Sequence, residues 1–130
     1  MKSNYFKFLL ILVLFLSSFV KTNAQIKIES DSAKYFLNKS VIIRGEVAEI
    51  YITKGPKPNI ILNIDKPYPN QTFSVVIFNS MIQKFDYDIA TELKGKTIEV
   101  QGKLTSYKNK PQIIVKKTKD IEVLNEKIAE

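Results

Sequence analysis

Two short clusters hold most of the residues in this 130-residue chain that could do chemistry on a partner. The first runs through Tyr51, Lys54 and Lys57 in IYITKGPKPN, the second through Tyr107, Lys108 and Lys110 in TSYKNKPQ. Ammonium groups neutralise phosphates and aromatic rings stack on bases, so the mixture suits a single-stranded nucleic acid or another polyanion. Lysines at turns also serve solubility, and that plainer reading stands beside the first. The composition excludes more than it suggests. Without His or Cys there is no imidazole base, no thiolate nucleophile and no His or Cys metal ligand. The carboxylates are scattered, with no Asp-x-Asp-x-Asp-Gly calcium loop. A non-catalytic binding protein, with no metal or other cofactor, is expected.

Its first residues are expected to be removed. Lys2 and Lys7 precede the apolar run FLLILVLFL, and a small residue, Ala24, closes the segment, the pattern of a secretory signal peptide spanning 1–24. Phe8 to Val20 is 13 residues and contains two serines, whereas a spanning helix needs about 20 apolar residues. No transmembrane segment is expected in the mature chain, and a periplasmic or extracellular location follows. Residues 25–130 carry 17 basic and 13 acidic side chains, so the net charge falls from +7 to +4. Arg44 is the one Arg. Bidentate reading of phosphate or guanine favours Arg over Lys, so little sequence specificity is expected.

The elements that must position the clusters follow from periodicity. SDSAKYFLNK reads as a short N-terminal helix starting at Ser30 or Asp31, with Ala33, Phe36 and Leu37 at helical spacing. In VIIRGEVAEIYI, Val41, Ile43 and Val47 alternate with polar positions, then Ile50 and Ile52 take the other parity. A one-residue slip in a strand bearing Gly45 marks a bulge or bend. Further strands are expected in IILNID, in Phe73 to Phe78, in KTIEVQGKLTSY and in PQIIVKK, with DIEVL a candidate extension of the last. Ile82, Phe85, Ile89 and Leu93 outline one amphipathic helix ending at Gly95. The chain also repeats itself. Lys39 to Val47 matches Lys96 to Leu104 at an offset of 57, and KPNIIL matches KPQIIV at an offset of 53. Two similar hairpins are expected, the first with a loop four residues longer.

The order strand, strand, strand, helix, strand, strand predicts a mainly β fold, a five-stranded OB-fold barrel with a short N-terminal helix, over residues 25–124 before a polar tail at 125–130. LNIDKPYPNQTFSVVIF and KGKTIEVQGKLTSYKNKPQIIV resemble segments of small secreted bacterial OB-fold proteins, generally described as nucleic-acid-binding. The resemblance implies the barrel over roughly residues 31–123. Staphylococcal-type nucleases share such a barrel, but their site uses two arginines beside calcium, and this chain has only Arg44.

In an OB barrel the ligand lies across the second and third strands, clasped by the two hairpin loops. That frame gathers Arg44, Tyr51, Lys54, Lys57, Asn63, Phe78, Tyr107, Lys108 and Lys110 as candidate binding residues. Ile61 and Val76 are expected to add apolar surface, and Asp65 to oppose phosphate nearby. Tyr68, between two prolines, is a further candidate, although packing over a barrel end is the stronger expectation for its ring. A protein, glycan or small ligand taken by an envelope accessory module is the alternative partner.

Overall fold

One strand organises the molecule, and the slip in its alternation decides how. In the computed structural model, which describes residues 2–16 and 25–125, β2 spans Ser40–Ile52. The other strands are β1 (Ile26–Glu29), β3 (Ile60–Ile64), β4 (Ser74–Ile77), β5 (Thr97–Lys103), β6 (Thr105–Tyr107), β7 (Lys110–Ile114) and β8 (Ile121–Val123). The first half of β2 pairs with β5, from Ser40↔Lys103 to Glu46↔Thr97. Its second half pairs with β3, with Val47 opposite Ile64 and Glu49 opposite Asn63. Ala48 is therefore the extra residue of a bulge, as the slip predicts. Before it, Val41, Ile43 and Val47 are fully buried; after it, Glu49 and Tyr51 stand on the outer face.

The fold is mainly β, with eight strands where five are expected. Eight strands form one sheet in the order β6-β7-β4-β3-β2-β5-β8, with β1 added parallel to β2. The expected fourth strand is broken at Leu104 into β5 and β6. Leu104 is fully buried, and its backbone exchanges bonds with Asn38 and Lys39 at 2.7 and 3.0 Å. The chain thus leaves β2 there and takes up β7 as its next partner. DIEVL does not extend the fifth strand either, since β8 pairs antiparallel with β5. Buried Asp120 fixes that crossing by accepting the Lys116 and Lys117 N–H groups at 3.0 and 3.1 Å and the Gln101 amide at 3.1 Å.

The repeat has a geometric meaning. Ile43 and Val100 occupy equivalent positions in the two copies, 57 apart, and they also face each other in the β2–β5 ladder. The copies therefore pair about a local two-fold between these residues. Each copy's glycine lies against an isoleucine of a later strand. A Cβ on Gly45 would overlap Ile64, and one on Gly102 would come within 2.7 Å of Ile113. Phe73, Val75 and Ile77 fill the space beneath with Leu62, Ile98 and Ile113, all fully buried, each stabilising the fold by about 1.5–3 kcal/mol.

The helices are shorter than periodicity suggests. The N-terminal one is a 3-10 helix, Ser30–Tyr35, which buries Ala33. The single helix expected through Leu93 is two turns, α2 (Asn79–Ile82) and α3 (Ile89–Glu92), numbered after α1 (Lys2–Leu16). Asp88 explains the break, because its carboxylate accepts the Ala90 N–H at 3.0 Å and starts a fresh helix. Ile89 and Leu93 are still buried and Phe85 packs edge-on against Tyr87. α1 is 15 residues long, and no helix among the described residues is long and apolar enough to cross a membrane. The expected cleavage after Ala24 lies outside the described residues.

Candidate nucleic-acid interface

The outer face of β2, β3, β4 and β7 forms the floor of a cleft of about 880 Å³. Register lays two rows across it. One is polar, running Glu49, Asn63, Ser74 and Gln112 from strand to strand; the next is largely apolar, running Tyr51, Ile61, Val76 and Ile114. Phe78 extends the apolar side, and Tyr68 and Tyr107 stand at the edges. Four aromatic rings therefore line one cleft while remaining about half exposed, Tyr51 at 49%, Tyr68 at 68%, Phe78 at 44% and Tyr107 at 58%. Exposed rings bordering a groove favour a ligand with flat faces.

The cations lie on one rim. Tyr107 and Lys110 pair across a two-residue turn in which Lys108 and Asn109 have φ of 49° and 63°, the tight turn whose twist matches a hairpin. It projects Lys108 over the Tyr107 ring, 5.4 Å from the centroid, a cation–π distance. Pro111 faces Ser106, a position where its missing N–H removes no bond to β6. This hairpin delivers Tyr107, Lys108 and Lys110 to the cleft together.

Beneath the rings the polar row is a connected relay. Gln71 donates through Nε2 to Ser74 Oγ at 3.3 Å, Ser74 donates to Asn63 Oδ1 at 2.8 Å, and Asn63 donates through Nδ2 to Glu49 Oε2 at 2.7 Å. The Tyr68 N–H also donates to Glu49 Oε2, at 3.0 Å. That backbone bond first, and the Asn63 amide second, hold the Glu49 carboxyl below its usual value. Glu49 also pins the segment that carries Tyr68, whose peptide bond to Pro69 is cis.

The structure brings together Tyr51, Asn63, Tyr68, Phe78, Tyr107, Lys108 and Lys110 of the candidates. It leaves out Arg44, Lys54 and Lys57. Arg44 precedes the bulge, on the half of β2 flanked by β1 and β5, where its register neighbours are Glu29 and Glu99. Lys54 and Lys57 are exposed in the loop 53–59, whose base is tied to the start of α2. The Asn79 N–H donates to Asn59 Oδ1 at 2.9 Å and its amide donates to the Pro58 carbonyl at 3.2 Å. Tyr68 does not pack over an end of the sheet, since its ring is mostly exposed. Asp65 is not the acid of the cleft. With φ of 68° it turns back, and its carboxylate accepts the Glu46 N–H at 3.2 Å and the Thr72 hydroxyl at 2.9 Å. The cleft's acid is Glu49, which the sequence reading passed over although the parity slip that aims Tyr51 outward aims Glu49 with it. Gln71 reaches the cleft from a loop and carries no periodic signal.

No family model and no curated protein sequence matches the chain. Among solved structures 22 chains match. One is a proposed aspartyl-tRNA synthetase from Leishmania major Friedlin, with a TM-score of 0.52 and 13% identity over 86% of this chain and 23% of that one. This chain thus spans about a quarter of the synthetase chain, and the likeness is one of fold. The Stn1–Ten1 complex of S. pombe overlaps more loosely, at a TM-score of 0.45 and 22% identity over 66% of this chain and 58% of that one. A proposed nucleic acid-binding lipoprotein from Klebsiella pneumoniae subsp. pneumoniae MGH 78578 gives 0.39 and 12% identity over 74% and 78%.

Proposed function

We propose that this protein is an exported, non-catalytic OB-fold module that holds single-stranded nucleic acid in the cleft over β2, β3, β4 and β7. One observation carries the reading: four half-exposed aromatic rings and two lysines line the same groove. Rings take successive bases at about 1–3 kcal/mol each, and lysines take the backbone phosphates. Lys108 and Lys110 stand on one rim, so the strand runs with its phosphates along the β6–β7 hairpin and its bases over the rows of the floor. The pairing supports the barrel, because β2 serves both β5 and β3, β4 pairs parallel with β7, and β5 and β6 are separated only by Leu104.

Titrating the protein with a labelled single-stranded oligonucleotide at two salt concentrations tests this. Binding is expected at low salt, weakening with a log–log slope of about −1.4 if both lysines neutralise a phosphate. Absence of binding at low salt overturns the reading. Export is tested separately by mass spectrometry of the secreted protein, which should begin at Gln25.

A further inference from the structure

The polar row under the rings has a direction, and a carboxylate sets it. Ionised Glu49 can only accept hydrogen bonds. Asn63, 2.7 Å away through Nδ2, must therefore turn its NH2 to Glu49 and its oxygen to Ser74. The Ser74 hydroxyl spends its proton on that oxygen, so its own lone pair is what receives the Gln71 amide at 3.3 Å. Gln71 ends the relay with its Oε1 buried and unpartnered, although the side chain lines the cleft and Gln71 is 7% exposed. At the other end both bonds to Glu49 fall on Oε2, leaving Oε1 without a partner among the described residues. The relay thus offers a ligand a spare acceptor at its Glu49 end, while the Gln71 oxygen at the other end is closed off from the cleft.

We infer that the polar row selects among bases stacked in the cleft, favouring one that carries an exocyclic amino group, so that cytosine is held in preference to thymine; this rests on the single-strand reading above. Cytosine N4 donates where thymine offers the O4 carbonyl, and a carboxylate accepts from the first but is repelled by the lone pairs of the second. A hydrogen bond to a charged acceptor discriminates more than a neutral one. Lys108 and Lys110 beside the cleft oppose a cationic occupant and suit the phosphates that follow a base.

The test compares oligodeoxycytidine and oligodeoxythymidine of equal length, at low salt, on protein expressed from the complete sequence. The expected result is about tenfold tighter binding of the cytidine strand. Glu49→Gln should bring the two within about twofold of each other, because the charged acceptor that tells them apart is gone. Equal binding of both strands by the unmodified protein, or a preference that survives in folded Glu49→Gln, overturns the inference and leaves the single-strand reading standing. Failure of both strands to bind overturns both readings. Preferential capture of an arginine-bearing peptide over either strand also overturns it and assigns Glu49 to a cation. Should Glu49→Gln not fold, the comparison on unmodified protein decides alone.

Discussion

The two hairpins open their second strands with nearly the same letters, KPNIIL and KPQIIV, yet their tips do opposite things. The tip at 107–110 is a two-residue turn that lifts one ring and two lysines onto the rim of the cleft. The tip at 53–59 is longer and as basic, but its base is tied to the start of α2 by Asn59 and Asn79. Its lysines are not among the residues that line the cleft. Repeated sequence gives repeated strands; where the tips point depends on what ties them down. Length alone favours the first loop as the gripping one, whereas the lysines that line the cleft come from the second.

The sharpest way to break the comparison is at the two glycines. Gly45→Val should cost about 3 kcal/mol, read from the denaturant midpoint, since a side chain there meets Ile64, Ser30 and Asp65. Gly102→Val, which meets Ile113 alone but stands at a φ of 158°, should cost about 2 kcal/mol through clash and backbone strain together. Equal losses would mean that the two positions are equally tight. Next in size, Tyr107→Ala should weaken single-strand binding by about 1–2 kcal/mol, roughly tenfold, whereas Lys57→Ala should leave affinity within about twofold. A reversed order would move the interface to the first tip. Asn79→Ala should lower stability by about 1 kcal/mol through the lost loop anchors, with oligonucleotide affinity unchanged. Release of the loop that raised affinity would show that the anchor withholds Lys54 and Lys57 from the ligand.

The smallest effect is a pH dependence. The Glu49 carboxyl is held below its ordinary value in the folded state, so its contribution to stability is present above the unfolded carboxyl's range. It fades as pH falls through the lowered folded value. Urea melts at neutral and acidic pH should show a shallower acid loss in Glu49→Gln than in the unmodified protein. Identical slopes would remove Glu49 from the relay's energetics.

What was legible in the sequence was whatever periodicity controls. The inward parity of β3, β4 and β5, the bulge in β2 and the hairpin around Lys108 all follow from alternation and turn chemistry. Periodicity failed where one polar side chain decides the outcome. Asp88 cuts a helix that the apolar spacing draws as continuous, and Asp120 turns the last strand onto β5 rather than along β7. The site was readable in part for the same reason. Tyr107, Lys108 and Lys110 travel together on one turn, but the placing of Lys54 and Lys57 depends on Asn79, some twenty residues on. Selectivity was sought in the single Arg, a donor. The floor instead offers an acceptor, Glu49, whose partner Asn63 was noticed only for its own sake.

The bulge at Ala48 gives β2 a place where one codon can be lost without reversing the faces of the strand. Removing that one codon would leave strict alternation through β2, with Glu49 and Tyr51 still facing outward and Ile50 and Ile52 still facing inward. The composition would barely change, and the first half of the strand would keep its ladder. A single in-frame deletion would thus keep the carboxylate and the ring over the cleft and remove only the extra twist between the two ladders, so the faces of β2 do not depend on the alanine itself.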